Sequence, residues 1–184
     1  MSLLDRPVSP EGLRRDIEMK LVLGIDPGTM ITGWAVVGAA EGEAIDLVSG
    51  FIKTESGDSG AANMGRRLHW IKERLDKVFL LHPDIEAVAF EGGFVGQHPQ
   101  ANMAIGYARG LAMLAAAEHG LKHYEYAPAT VKKRVANHGR ATKDMIGRAI
   151  AGLFNLEASI QEDEADAIGV ALCHHIERGD IWHL

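Results

Sequence analysis

KLVLGIDPGTMITGWAVVG, residues 20–38, decides the fold. Residues 20–26 are a β-branched and apolar run that reads as a buried strand, and it ends on an acid, Asp26. The Pro-Gly-Thr that follows is turn chemistry. Residues 31–38 return as a second apolar strand, so the two form a hairpin with a carboxylate at its mouth.

Outward from this hairpin, residues 44–53 (AIDLVSGFIK) read as a third strand, and Gly57 to Gly60 as a loop. Met64, Leu68, Ile71, Leu75, Val78 and Phe79 fall at helical spacing, with Lys and Arg on the opposite face. Residues 85–90 (IEAVAF) form a short apolar strand that ends at Glu91, ahead of a glycine-rich loop. A second helix at 100–119 carries Ala and Gly on several sides, which marks it as buried or shared with a partner. A fifth strand at 121–127, short helices near 128–136 and 142–154, and a last helix at 162–178 complete the order. Strands first, then strands alternating with helices, imply an α/β three-layer domain with a mixed five-stranded sheet flanked by helices. The domain spans 20–178, with a flexible extension at 1–19 that has room for a short helix near 11–18, and a tail at 179–184.

Composition narrows the function. The lone cysteine, Cys173, permits no internal disulfide and fits a reducing interior as a core thiol. The first eighteen residues lack the apolar stretch of a secretory signal, and no apolar run is long enough to span a bilayer, so a cytoplasmic location is expected. The net charge of −6 argues against a nucleic-acid partner, but the local field decides. Between residues 122 and 148, Lys122, Lys132, Lys133, Arg134, Arg140, Lys143 and Arg148 face only Glu125 and Asp144. That segment is a candidate phosphate-binding surface.

Four carboxylates carry the chemistry. Asp26 and Glu91 end strands one and four, where ligand sites of open α/β sheets lie. Asp163 and Asp166 are three apart at the start of the last helix, which puts them on one face. Singly, each has an ordinary explanation: a turn, a loop charge, or acid enrichment at a helix N-terminus. Glu162 and Glu164 read as solvated neighbours. If strands one and four are adjacent, all four acids meet at one edge. Such a group would repel itself without hard divalent cations bound through oxygen, Mg²⁺ or Mn²⁺. Two such ions can clamp the attacking and leaving oxygens of a phosphoryl displacement.

The stretches LVLGIDPGTMITGWAVV (21–37), AVAFEGGFVGQHPQANMAIGYARG (87–110), YEYAPATVKKRVANHGRATKDMI (124–146) and DEADAIGVALCHH (163–175) resemble, in order, the RuvC family of Holliday-junction resolvases. The resemblance implies a ribonuclease-H-like fold, a homodimer, and Mg²⁺-dependent paired nicking of a four-way junction by a two-metal mechanism, with Mn²⁺ able to substitute. It places the catalytic and metal-binding acids on Asp26, Glu91, Asp163 and Asp166, and a base-stacking aromatic on Phe94. It puts DNA-contacting lysines on Lys132 and Lys143, with Lys133 a close second to Lys132. Branch-migration machinery is a further partner compatible with such an enzyme. About nineteen additional N-terminal residues, Gly92-Gly93 before Phe94, and the acidic total depart from the family pattern and point to a divergent or phage-encoded branch.

Further residues divide between site and scaffold. His138 and Arg140 flank Gly139 in a basic loop suited to phosphate. His174 and His175 end an apolar helix, where they complement its dipole. Met103, Met113 and Ala115–Ala117 read as packing, and the 100–119 helix as a dimer interface. Two other functions compete. One is an actin-like or sugar-kinase-type phosphotransferase, whose strand-Asp-turn-strand loop Asp26-Pro-Gly-Thr matches crudely but which needs two domains. The other is a non-catalytic module that binds branched DNA, against which the presence of all four acids argues.

Overall fold

The structure, a computed structural model, describes residues 18–54, 63–92, 99–156 and 160–182. Five strands, β1 (Lys20–Asp26), β2 (Ile31–Ala40), β3 (Glu43–Lys53), β4 (Ile85–Glu91) and β5 (Lys122–Tyr126), form one sheet in the order β3-β2-β1-β4-β5. β1, β2 and β3 pair antiparallel, whereas β4 joins β1, and β5 joins β4, in parallel. Helices α1 (Met64–Leu81) and α2 (Pro99–Glu118) cover one face; α3 (Pro128–Ala136), α4 (Lys143–Leu153) and α5 (Glu162–Arg178) cover the other. The mixed three-layer architecture expected from the element order is the one observed.

The two-residue period of the strands sorts their side chains between the layers. Leu21, Leu23 and Ile25, with Trp34, Val36, Val88 and Phe90, pack against α1 and α2 through Ile71, Leu75, Phe79 and Ala112. Val22, Ala35, Val37, Ala87 and Ala89 pack against Val131, Val135, Ile150 and the apolar side of α5. Because both faces of β1 and β4 are covered, these strands read as near-continuous apolar runs. The alternation therefore turns Asp26 and Glu91, the last residues of those strands, toward α5.

Among the described residues α5 is the most buried helix, with Ile168, Val170, Leu172 and Cys173 all in the core. Each Ile, Val or Leu buried there is worth roughly 1.5–3 kcal/mol, which fixes the helix against the sheet. Past its Gly179 cap (φ 77°), the chain stays docked: Ile181 is buried, and the Trp182 amide donates to the Gly42 carbonyl at 2.9 Å. Lys20 pairs with Asp180 at 2.6 Å, and Asp180 reaches His175 at 3.2 Å. No helix among the described residues is long and apolar enough to cross a membrane.

Candidate active site

Strand register assembles the first half of the site. β1 and β4 run parallel with Ile25 opposite Phe90, so the next residues, Asp26 and Glu91, end the two strands side by side. Across β2, Asp26 faces Gly33, and Gly33 in turn faces Phe51 on β3.

Two strand glycines admit the second half. A Cβ on Gly24 would overlap the Ala167 carbonyl oxygen, and one on Gly33 would overlap that of Asp163. The α5 backbone thus lies directly on β1 and β2, and its first turn reaches Asp26. A glycine inside a strand often marks such an approach, so these two positions carry the one sequence signal for where α5 docks. The first turn is pinned twice more. The Gln161 side chain accepts from the Glu164 amide at 3.1 Å, and the Ser49 hydroxyl donates to Glu164 Oε1 at 2.6 Å. Glu164 is buried and ties α5 to β3, contrary to its reading as a solvated neighbour.

The electrostatics follow from this crowding. Burial, followed by the charges of Asp166, Asp163 and Glu91, pushes the Asp26 carboxyl up to about 7. Burial and Asp166 also raise Glu91, while Lys132 and Lys143 oppose the rise. Among the described residues, no three His, Cys, Asp or Glu side chains converge closely enough to grip one ion. Protein donors meet the two acids on α5. Lys143 donates to Asp166 Oδ2 at 3.2 Å and to Glu162, and the Gln161 amide donates to Asp163. Burial works against the Lys143 ammonium, but those hydrogen bonds outweigh it and hold the lysine charged.

The basic segment is more neutral than its composition suggests. Arg134 pairs with Glu177 at 2.6 Å, and Arg148 pairs with Asp144. Lys132, Lys133 and Arg140 form no ion pair with a described residue. Lys132 is half-buried, and of the two adjacent lysines it is the one whose charge acts on Glu91; Lys133 and Arg140 are exposed. Phe94 lies outside the described residues.

His174 does not complement the helix dipole as a cation. Burial, then His175, holds it down to about 4, and its Nδ1 meets the Tyr126 hydroxyl at 2.9 Å. His175 is fully buried and reaches the Val37 carbonyl at 3.0 Å. Cys173 is a buried thiol whose pKa burial raises to about 12, as suits a core residue. On α2, Ala108, Ala112, Ala115 and Ala116 face the sheet, but Met103 is 57% exposed and Leu114 52%, with Ile105, Tyr107 and Met113 also exposed. Packing within the chain accounts for Ala115 and Ala116, but not for Ala117, Met103 and Met113, which are exposed.

A mixed sheet of this order, covered on both faces and with acids at the ends of its two central parallel strands beside a third acidic helix turn, defines a ribonuclease-H-like nuclease fold. The family model for crossover junction endodeoxyribonuclease RuvC matches residues 22–174. A protein of that name from Moorella thermoacetica is 39% identical over 155 residues, covering 84% of this chain and 90% of the relative. RuvC of T. thermophilus, solved in complex with a Holliday junction substrate, superposes with a TM-score of 0.78 at 30% identity, covering 87% of this chain and 95% of that one. The yeast mitochondrial Holliday junction resolvase shares the fold, with a TM-score of 0.60 at 14% identity. The chain belongs to the RuvC family of crossover junction endodeoxyribonucleases.

Proposed function

We propose that this protein resolves Holliday junctions by paired, metal-dependent nicks, with Asp26, Glu91, Asp163 and Asp166 as the metal-binding and catalytic acids. The observation that carries this is the meeting of β1, β4 and the first turn of α5 at one sheet edge, in a chain of this family. The donor set suits hard divalent ions, being oxygen throughout. Each of Asp163 and Asp166 is held by a protein donor that a cation can replace, and a cation at Asp26 would compete with the proton that its raised carboxyl binds more readily than a free one. Two Mg²⁺ ions, or Mn²⁺ in their place, would be held there and would supply an activated water and a stabilised leaving oxygen. The chain's own residues do the rest. Lys132, Lys133, Arg140 and Lys143 hold the phosphate backbone, and Phe94 stacks on a base opened at the junction centre. Lys143, once displaced from Asp166, is available to a phosphate.

The nuclease unit is residues 20–178 together with the docked residues 179–182 rather than a free tail, with 1–19 as an extension, working in the cytoplasm as a homodimer whose two sites meet two equivalent strands. The exposed apolar face of α2, with Met103, Ile105, Tyr107 and Leu114, is the surface through which two copies pair. The family match counts against the phosphotransferase reading, and the presence of all four acids counts against a non-catalytic one. The test is a synthetic four-way junction incubated with and without Mg²⁺. Wild type should cut only with metal, and Asp26→Asn should bind the junction without cutting. Cleavage by that variant at the wild-type rate refutes the site.

A further inference from the structure

We propose that Phe51, with Lys53 two residues beyond it, forms a platform for one nucleotide of the cleaved strand on the outer edge of the sheet, beside the metal site. The proposal rests on the junction-nuclease reading above and adds a DNA-binding residue to it.

The register places Phe51. Asp26, Gly33 and Phe51 lie in one row across β1, β2 and β3. Directly opposed antiparallel residues point to the same face, roughly 4.5–5.5 Å apart at Cα, so Phe51 stands about 10 Å from Asp26 on the side where α5 begins. Gly33 between them has no side chain, and the Asp163 carbonyl fills that space. Phe51 is therefore the first side chain outward from the acids in that direction. Its strand is held there, because Ser49, on the same face two residues earlier, donates to the buried Glu164 of α5.

The rest of that face, from Leu47 onward, is accounted for. Leu47 packs into the core beneath α5, and Ser49 binds Glu164. Phe51 alone among the apolar residues of this strip is left out, at 42% exposed, and Lys53 follows it, exposed, on the same face. An exposed aromatic on an edge strand is an aggregation liability with no benefit to the core. An aromatic ring next to a cation, beside a phosphodiester-cleaving site, has a matching occupant. The ring stacks on a base unstacked near the scissile phosphate, and the ammonium meets a neighbouring phosphate. The partner is thus a DNA nucleotide, chosen by continuity with the metal site and by charge.

A structural alternative is that Phe51 merely shields Gly33 across the strand pair. Leu shields as well as Phe but cannot stack. Phe51→Leu, Phe51→Ala and Phe51→Trp are compared with wild type for melting temperature, four-way-junction affinity and single-turnover cleavage with Mg²⁺. The platform predicts that Phe51→Leu melts like wild type yet loses roughly 5- to 100-fold in affinity or cleavage rate. Phe51→Ala should lose at least as much, and Phe51→Trp should keep most of both. Phe51→Leu binding and cutting like wild type overturns the proposal, whether or not Phe51→Ala is destabilised. If wild type itself fails to cut the junction, the nuclease reading falls and the platform falls with it; if wild type cuts and Phe51→Leu is unaffected, only the platform falls.

Discussion

Replacing Asp26 by Asn should stabilise the metal-free protein while abolishing cleavage. The Asp26 carboxyl is raised from 3.8 to about 7 by burial and by the charges of Asp166, Asp163 and Glu91. At about 1.4 kcal/mol per tenfold change in proton affinity, ionising it in the folded state costs up to about 4 kcal/mol. For an acid raised in this way, the folded state binds more protons than the unfolded chain between 3.8 and about 7, so stability falls as pH rises through that window. Above about 7 the penalty is complete, and below 3.8 it is absent. The amide removes the charge and the penalty together. In EDTA at pH 8, Asp26→Asn should melt up to about 8–16 °C higher than wild type, at roughly 2–4 °C per kcal/mol for a chain of this length. At pH 5.5, where folded Asp26 is already protonated, the gain should shrink to about half. Thermal melts at both pH values, with each protein in EDTA and in excess Mg²⁺, measure this directly. Wild type should gain more from Mg²⁺ than the variant does. A variant no more stable than wild type at pH 8, or a gain that does not shrink at pH 5.5, refutes the crowded-carboxylate account.

Other consequences are equally direct. Gly33→Ala pushes a methyl group against the Asp163 carbonyl, so cleavage should fall at least tenfold with a stability loss of about 1–3 kcal/mol, read by activity and urea melts on one preparation. The Mg²⁺ concentration for half-maximal cleavage should rise as pH falls below about 7 and level off above it, since the metal must displace the Asp26 proton; a flat profile from pH 6 to 8 would count against that proton. Lys132→Ala and Lys143→Ala should each weaken junction binding at every sequence and flatten the salt dependence by about 0.9 for each phosphate no longer neutralised, measured by anisotropy across a salt series. Leu114→Glu combined with Met103→Glu should yield a folded monomer by sedimentation, which still binds DNA but no longer makes paired nicks.

Much of this architecture is legible in the chain because strand alternation is strict. Asp26 and Glu91 close two apolar runs, and the period of two turns both toward α5. Asp163 and Asp166 share a face by helical spacing alone. What cannot be read is what spans the sequence. Glu164 sits in an acidic first turn and looks solvated, yet its partner Ser49 lies 115 residues away on β3. Lys143 looks like a phosphate ligand, yet it also pairs with Asp166 on α5. The apolar composition of α2 gives no means to separate its buried alanines from its exposed methionines, because its low sidedness hides which face meets the sheet.

If the four acids form one metal site per subunit and two subunits cut one junction, a supercoiled plasmid extruding a cruciform reports both in one tube. With Mg²⁺, wild type should convert the plasmid to linear molecules, because both strands are nicked within a single bound complex. EDTA, Asp26→Asn or Asp163→Asn should leave it supercoiled. Nicked circles as the only product of wild type, or linear product from either Asn variant, would contradict the account.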